Sequence, residues 1–120
     1  MIFRLDDLEW IERDDGRRIA RLSDAMTNAR ANVWRYPPGT KGVRHLEKVQ
    51  EEILVVVRGR LTLVLGDPPE PNELGPGDVA VVAPGTPLQI RNDGDEELLL
   101  FIAGAPPERG QAEYLADAEL

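Results

Sequence analysis

The segment "GTKGVRHLEKVQEEILVVVRG", residues 39–59, is the most informative about the fold because it combines spaced glycines and polar residues with an apolar run. It holds the only histidine of the chain, His45, with Glu47, Glu51 and Glu52 behind it. Imidazole and carboxylate groups are common metal ligands. The segment therefore predicts either a metal site or the remaining shell of one.

Two sets of residues carry a resemblance to a known family. In the first set Gly39 and Gly59 bracket His45, Glu47 and Glu52. The second set consists of Gly77, Ala83-Pro84-Gly85, Leu88 and Asn92. In order and internal spacing these sets resemble the two sequence motifs of the cupin family. The resemblance extends over about residues 28–103 and implies an all-β fold, a double-stranded β-helix or jelly-roll barrel.

We expect one domain, because 120 residues is an ordinary length for a single folded unit. The resemblance makes this a single cupin domain over residues 1–120. Its core barrel spans about residues 28–103, with N-terminal strands in 1–27 and a C-terminal tail in 104–120. Within that tail we expect one or two helical turns.

The residue pattern itself also favours β-strands, since most apolar runs are short or alternate with polar residues. In "ANVWRY", residues 31–36, Asn32, Trp34 and Tyr36 fall on one face. The runs at 52–57 and 60–66 flank Arg58-Gly59 and predict a hairpin.

Two predicted strands, "ILVVV" at 53–57 and "LLLFI" at 98–102, are apolar on both faces. A strand with one face in water alternates instead. The second face must therefore be covered by the N-terminal strands, by a partner subunit or by both, and we expect a homodimer. A related alternative is a structural or interaction module that uses these faces for assembly.

Composition excludes several classes of function. The net charge of −8 repels phosphate backbones and anionic lipids, so we expect no nucleic-acid or membrane partner. Arg17, Arg18 and Arg21 cluster, and we interpret them as a solvated strand face. The chain contains no cysteine, which excludes thiolate chemistry, and the expected location is cytoplasmic.

The candidate metal ligands are His45, Glu47 and Glu52. Metal-binding cupins carry two histidines and a glutamate in the first motif and a third histidine in the second. His45 and Glu52 match two of these positions, whereas Glu47 and Leu88 replace histidines. One nitrogen and two carboxylates suit Mn²⁺ or Mg²⁺ better than iron or zinc. A divalent metal bound there would be Mn, Mg, Fe or Ni. Without a metal, His45 would be a rim residue bonded to Glu47 or Glu52.

The predicted ligand pocket adds aromatic and apolar side chains to these groups. Trp34 and Tyr36 either stack on a ligand at the pocket mouth or belong to the core. The full predicted pocket is Trp34, Tyr36, His45, Glu47, Glu52 and Leu88. The sequence identifies no catalytic residue.

Three functions are therefore open. We favour a barrel that binds an unidentified small molecule without a complete metal site. The alternatives are a metal-dependent enzyme of the isomerase, epimerase or dioxygenase type that uses His45, Glu47 and Glu52, and the structural or interaction module.

Overall fold

The computed structural model describes residues 1–107 and 111–119. Two short 3-10 helices lie at Leu5–Asp7 and Leu22–Ala25, and in the described residues no helix is long and apolar enough to cross a bilayer. The strands are β1 (Ile11–Glu12), β2 (Arg18–Arg21), β3 (Arg30–Tyr36), β4 (His45–Glu47), β5 (Glu51–Arg58), β6 (Leu61–Leu65), β7 (Glu70–Leu74), β8 (Val79–Val82), β9 (Leu88–Arg91), β10 (Leu98–Ala105) and β11 (Ala112–Tyr114).

The strands form two antiparallel sheets, which confirms the predicted all-β, jelly-roll class. The first sheet has the order β1-β2-β3-β10-β5-β8, and the second has the order β11-β4-β9-β6-β7. Every pairing between the named strands is antiparallel. Consecutive strands often lie in different sheets, so the chain crosses repeatedly between the two layers.

The predicted hairpin at 52–57 and 60–66 is wrong. Strand β5 pairs with β10 and β8, whereas β6 pairs with β7 and β9 in the other sheet. The Arg58-Gly59 link therefore carries the chain between the two layers. Gly59 has φ +84°, a conformation that L side chains rarely adopt.

The core lies between the two sheets. The inward residues of β5, such as Leu54 and Val56, meet those of β6 and β9, such as Leu63 and Leu88. Tyr36, at the end of β3, belongs to the same buried cluster. The predicted alternation of β3 is confirmed, because Val33 packs in a separate cluster on the outer face.

The outer face of the first sheet is only partly covered by this chain. Leu99 packs with Leu5, Leu8 and Trp10 of the N-terminal segment, which covers β10 and β3. Over β5 and β8 the aliphatic side chains remain exposed: Ile53 39%, Val57 49%, Val79 52% and Val81 68%. The N-terminal segment thus covers the outer face of β10, one of the two strands that are apolar on both faces, and leaves much of the outer face of the other, β5, exposed.

The helical turns expected in the C-terminal tail are wrong for the described residues. Residues 112–114 form β11, which pairs with β4 and places Tyr114 opposite His45. Further along, Asp117 Oδ1 accepts a hydrogen bond from Gln89 Nε2 at 3.1 Å. Residues 108–110 and 120 of the predicted tail lie outside the described residues.

Asn92, the last residue of the second set, has a structural task. It is fully buried, and its Nδ2 donates to the carbonyl oxygens of Tyr36 at 2.8 Å and Glu96 at 2.9 Å. Its Oδ1 accepts from the N–H of Gly94 at 3.0 Å. These bonds satisfy buried backbone groups at a strand end, so this position supports the barrel irrespective of any ligand.

The crossing at Gly59 leads to a stability prediction. A Cβ at Gly59 would lie 2.5 Å from the carbonyl oxygen of Glu97, whereas one at Gly77, φ +87°, would meet nothing within 4 Å. Gly77→Ala should therefore lower the free energy of unfolding only by the cost of its backbone conformation, about 1–2 kcal/mol. Gly59→Ala should lower the free energy of unfolding by about 1–3 kcal/mol more, because its Cβ overpacks against the backbone. Urea denaturation measures both, and equal losses would contradict this account of the crossing.

Candidate functional site

Three potential metal ligands converge between the two sheets. Alternation along β4 puts His45 and Glu47 on the inward face, and β5 contributes Glu52 from the opposite sheet. One ligand atom from each of the three residues lies within 4.8 Å of the others. Glu47 is 7% exposed and Glu52 is 6% exposed, so both carboxylates are held away from bulk water.

The imidazole of His45 is oriented by the backbone. Its Nδ1 lies 2.9 Å from the carbonyl oxygen of Val43, which can only accept, so Nδ1 carries the proton and donates. In the neutral ring Nε2 then has a free lone pair, and it lies 3.7 Å from Glu47 Oε1. A backbone carbonyl that fixes the tautomer in this way is typical of metal-binding histidines.

Glu52 is the least satisfied group of the cluster. Among the described residues its buried Oε1 has no hydrogen-bond partner. Burial raises the pKa of the Glu52 carboxyl, the nearby Glu47 carboxylate raises it further, and His45 and Arg30 partly oppose both. Two buried carboxylates this close repel each other unless a proton or a cation lies between them.

The donor set fits a divalent cation, although its fourth position is apolar. One imidazole nitrogen and two carboxylates form the mixed set that suits Mn²⁺, with waters able to complete the shell. Leu88 lies directly opposite His45 in the β4–β9 pair, and its buried side chain offers no donor. The chain itself therefore offers three potential ligands here.

A cavity of about 780 Å³ opens above this cluster, within the size range of small-molecule sites. The side chains that line it include all six of the predicted pocket: Trp34, Tyr36, His45, Glu47, Glu52 and Leu88. The two aromatic rings pack edge to face at 5.6 Å. Tyr36 is 2% exposed and belongs mainly to the core, whereas Trp34 is only partly buried.

Arginines of the N-terminal part also line the cavity, and the sequence analysis did not identify them as site residues. They are Arg13, Arg17, Arg21 and Arg30. The prediction that Arg17 lies on a solvated strand face is wrong, since its side chain is 16% exposed and packs 5.5 Å from the Trp34 ring. Strand β2 pairs with β3, which brings Arg17 to the cavity edge. The local sequence carried no signal for this placement.

The C-terminal segment closes one side of the cavity. Tyr114 of β11 places its ring 6.4 Å from that of His45. The N–H of Lys48 donates to the Gln111 carbonyl at 3.0 Å, and the N–H of Leu115 donates to the Arg44 carbonyl at 2.8 Å. These bonds hold β11 beside β4, so Tyr114 lines the cavity next to His45.

Comparisons with known proteins agree with this architecture. A family model described as "Cupin domain" matches residues 32–104. A solved structure described as a sugar phosphate isomerase from a cupin superfamily, from Silicibacter pomeroyi, has TM-score 0.82 and 27% identity, covering 98% of this chain and 83% of that chain. No curated protein sequence matches significantly.

Two further structures share the fold at lower identity. A conserved protein with a double-stranded beta-helix domain from Klebsiella pneumoniae has TM-score 0.82 and 20% identity, covering 97% of each chain. The oxalate decarboxylase of Lactobacillus farciminis has TM-score 0.77 and 20% identity, covering 94% of this chain and 35% of that chain.

The raised pKa of Glu52 predicts a pH-dependent stability of the metal-free protein. A carboxyl whose pKa is higher in the folded than in the unfolded state stabilises the fold at low pH, and this contribution disappears as pH rises through the folded pKa. Glu52→Gln cannot ionise. In EDTA we expect the variant to melt roughly 4 °C above the wild type at about pH 8, with the difference shrinking toward about pH 5.

Thermal melts followed by circular dichroism measure this difference, with Glu51→Gln as the matched control on the exposed side of β5. The control should melt close to the wild type at both values of pH. A Glu52→Gln variant that melts below the wild type at the higher pH would show that the Glu52 carboxylate is stabilised when charged.

Proposed function

Because a Cupin domain model matches residues 32–104, this chain belongs to the cupin family, and we propose that its barrel binds a divalent cation together with a small organic substrate. His45, Glu47 and Glu52 would hold the cation. The observation that carries this proposal is the convergence of three ligand atoms within 4.8 Å, one of the carboxylates having a buried oxygen without a partner.

The proposed reaction is a proton-transfer isomerisation. A bound cation would supply Lewis acidity toward a carbonyl or enediol oxygen. Among the described residues, Glu47 and Glu52 are the only carboxylates that line the cavity. One of their oxygens is therefore the group best placed to accept a proton from a substrate carbon and return it. The likeness to a sugar phosphate isomerase at 27% identity supports this reaction class.

Binding without a metal is the second candidate, and Leu88 favours it. A buried leucine stands opposite His45 and makes that wall of the cavity apolar. In this case His45, whose Nε2 lies 3.7 Å from Glu47 Oε1, would remain the imidazole neighbour of that carboxylate. The cavity and its aromatic wall would serve a ligand equally well.

We also propose that two copies associate through the exposed aliphatic face of β5 and β8. Ile53 lies opposite Val81 in the paired strands, and Val55 lies opposite Val79, so the apolar side chains form one continuous patch. Such a patch can meet its own copy across a two-fold axis. A groove of about 450 Å³, lined partly by Phe3, extends this face toward the N-terminal segment.

The metal proposal predicts the composition of the purified protein. Protein prepared without chelators should contain about one divalent ion per chain, or should take up one Mn²⁺ on titration. Glu47→Gln and Glu52→Gln should each weaken Mn²⁺ binding by more than about tenfold. Elemental analysis and calorimetric titration measure these quantities.

Glu51→Gln removes the same charge from the exposed side of the same strand and should bind Mn²⁺ as the wild type does. Less than about a tenth of an ion per chain, with no uptake of added Mn²⁺, would reject the metal proposal in favour of metal-free binding.

The association proposal predicts that a charge on the patch separates the copies. Val57→Asp and Val81→Asp should each halve the molar mass measured by light scattering, because a buried unpaired carboxylate is strongly unfavourable. Val49→Asp is the matched control, since this valine is 40% exposed in the turn before β5, outside the patch. A wild-type protein that is monomeric at micromolar concentration would refute the proposal.

A further inference from the structure

The cavity is basic although the protein is acidic. The chain carries a net charge of −8, yet four arginines line the cavity and, among the described residues, only two carboxylates do. The carboxylates belong to the His45 cluster, and the arginines come from β2, the turn before it, and the start of β3. The positively and the negatively charged side chains of the cavity therefore come from different elements of the barrel.

Arg13 and Arg17 flank a hydrogen-bonded turn. The turn between them is closed by two hydrogen bonds, from the N–H of Arg13 to the Arg17 carbonyl at 2.7 Å and from the N–H of Gly16 to the Arg13 carbonyl at 3.0 Å. The guanidinium carbons of Arg13 and Arg17 lie 5.7 and 5.5 Å from the centre of the Trp34 ring. One indole thus faces two guanidinium groups.

Arg17 is held in place before any ligand arrives. Its Nε lies 2.7 Å from Asp15 Oδ2, and one terminal nitrogen donates to the Tyr36 hydroxyl at 3.3 Å. Its guanidinium also lies 5.2 Å from the centre of the Tyr36 ring. These contacts engage only part of the five N–H donors of the guanidinium, so others stay available to a ligand.

Arg13 has no such compensation. Within the described part of the chain it forms no ion pair, whereas Arg17 pairs with Asp15 and Arg21 lies 3.7 Å from Asp24. The guanidinium groups of Arg13 and Arg17 lie beside the same ring, and a bound oxyanion there would accept charge-assisted hydrogen bonds from them.

We propose that the cavity selects a small anionic molecule, whose phosphate or carboxylate group is held by Arg13 and Arg17 beside Trp34. The inference rests on the proposed function in one respect: the end of the ligand opposite its anionic group would lie beside His45, Glu47 and Glu52. A cavity with a basic edge and an acidic metal-ligand cluster orients such a molecule in one direction only. The basic edge also attracts anions that the overall negative charge would repel.

Binding of three related sugars tests this inference: ribose 5-phosphate, ribonate and ribose, each titrated calorimetrically into EDTA-treated and Mn²⁺-loaded protein. At least one anion should bind about tenfold more tightly than ribose in both states. Preference for ribose 5-phosphate indicates a phosphate group, and preference for ribonate indicates a carboxylate. Either result supports the inference.

Arg13→Gln should weaken binding of the preferred anion by about tenfold and leave ribose unaffected. Arg17→Lys keeps the charge but removes the planar fork, so it should also lose affinity for the anion. Arg58→Gln is the matched control, because it removes the same charge from an exposed position at the end of β5, outside the cavity. The control should bind as the wild type does.

Two results would overturn the inference. In the first, the anions bind no more tightly than ribose. In the second, Arg13→Gln and Arg17→Lys keep the full preference for the anion, as the control Arg58→Gln does. Neither result touches the metal proposal, which the Mn²⁺ titration decides by itself. Conversely, a protein that takes up no Mn²⁺ can still show the arginine-dependent preference in EDTA.

Discussion

Filling the apolar layer between the two sheets sets the orientation of the strands in the barrel. Side chains alternate across each strand, so once Leu54, Leu63 and Leu88 point into this layer, the facing of their neighbours is determined. Glu52 then points inward from one sheet, and His45 points inward from the other. The candidate metal centre is thus a polar continuation of the same interior, at the end where the hydrophobic filling stops and the cavity begins.

This polar continuation is unfavourable unless something compensates it. Both carboxylates have little exposure. Burial raises the pKa of the Glu52 carboxyl, and repulsion from the Glu47 carboxylate raises it further. The barrel nevertheless holds them beside an imidazole whose Nδ1 is bound by a backbone carbonyl. Two buried carboxylates beside such an imidazole, which a cation would stabilise, are more readily explained by ligand binding than by packing.

Net charge is a poor guide to the inside of this protein. The excess of acidic residues argues against polyanionic partners as a whole, but the lining of the cavity contains four arginines and, among the described residues, two carboxylates. The same separation applies to the apolar surface. The N-terminal segment covers β10 and β3, and the aliphatic patch over β5 and β8 remains exposed.

The all-β class and the alternation of β3 follow from the sequence alone, because periodicity is a local property that every strand carries with it. The spacing of the two sets added the resemblance that implied a barrel. Which strands pair became known from the tertiary structure. It sent β5 and β6 to different sheets, made residues 112–114 a strand over His45, and brought Arg17 to Trp34. Pairing joins segments that are distant along the chain and depends on the burial available to the whole barrel, so no local pattern encodes it.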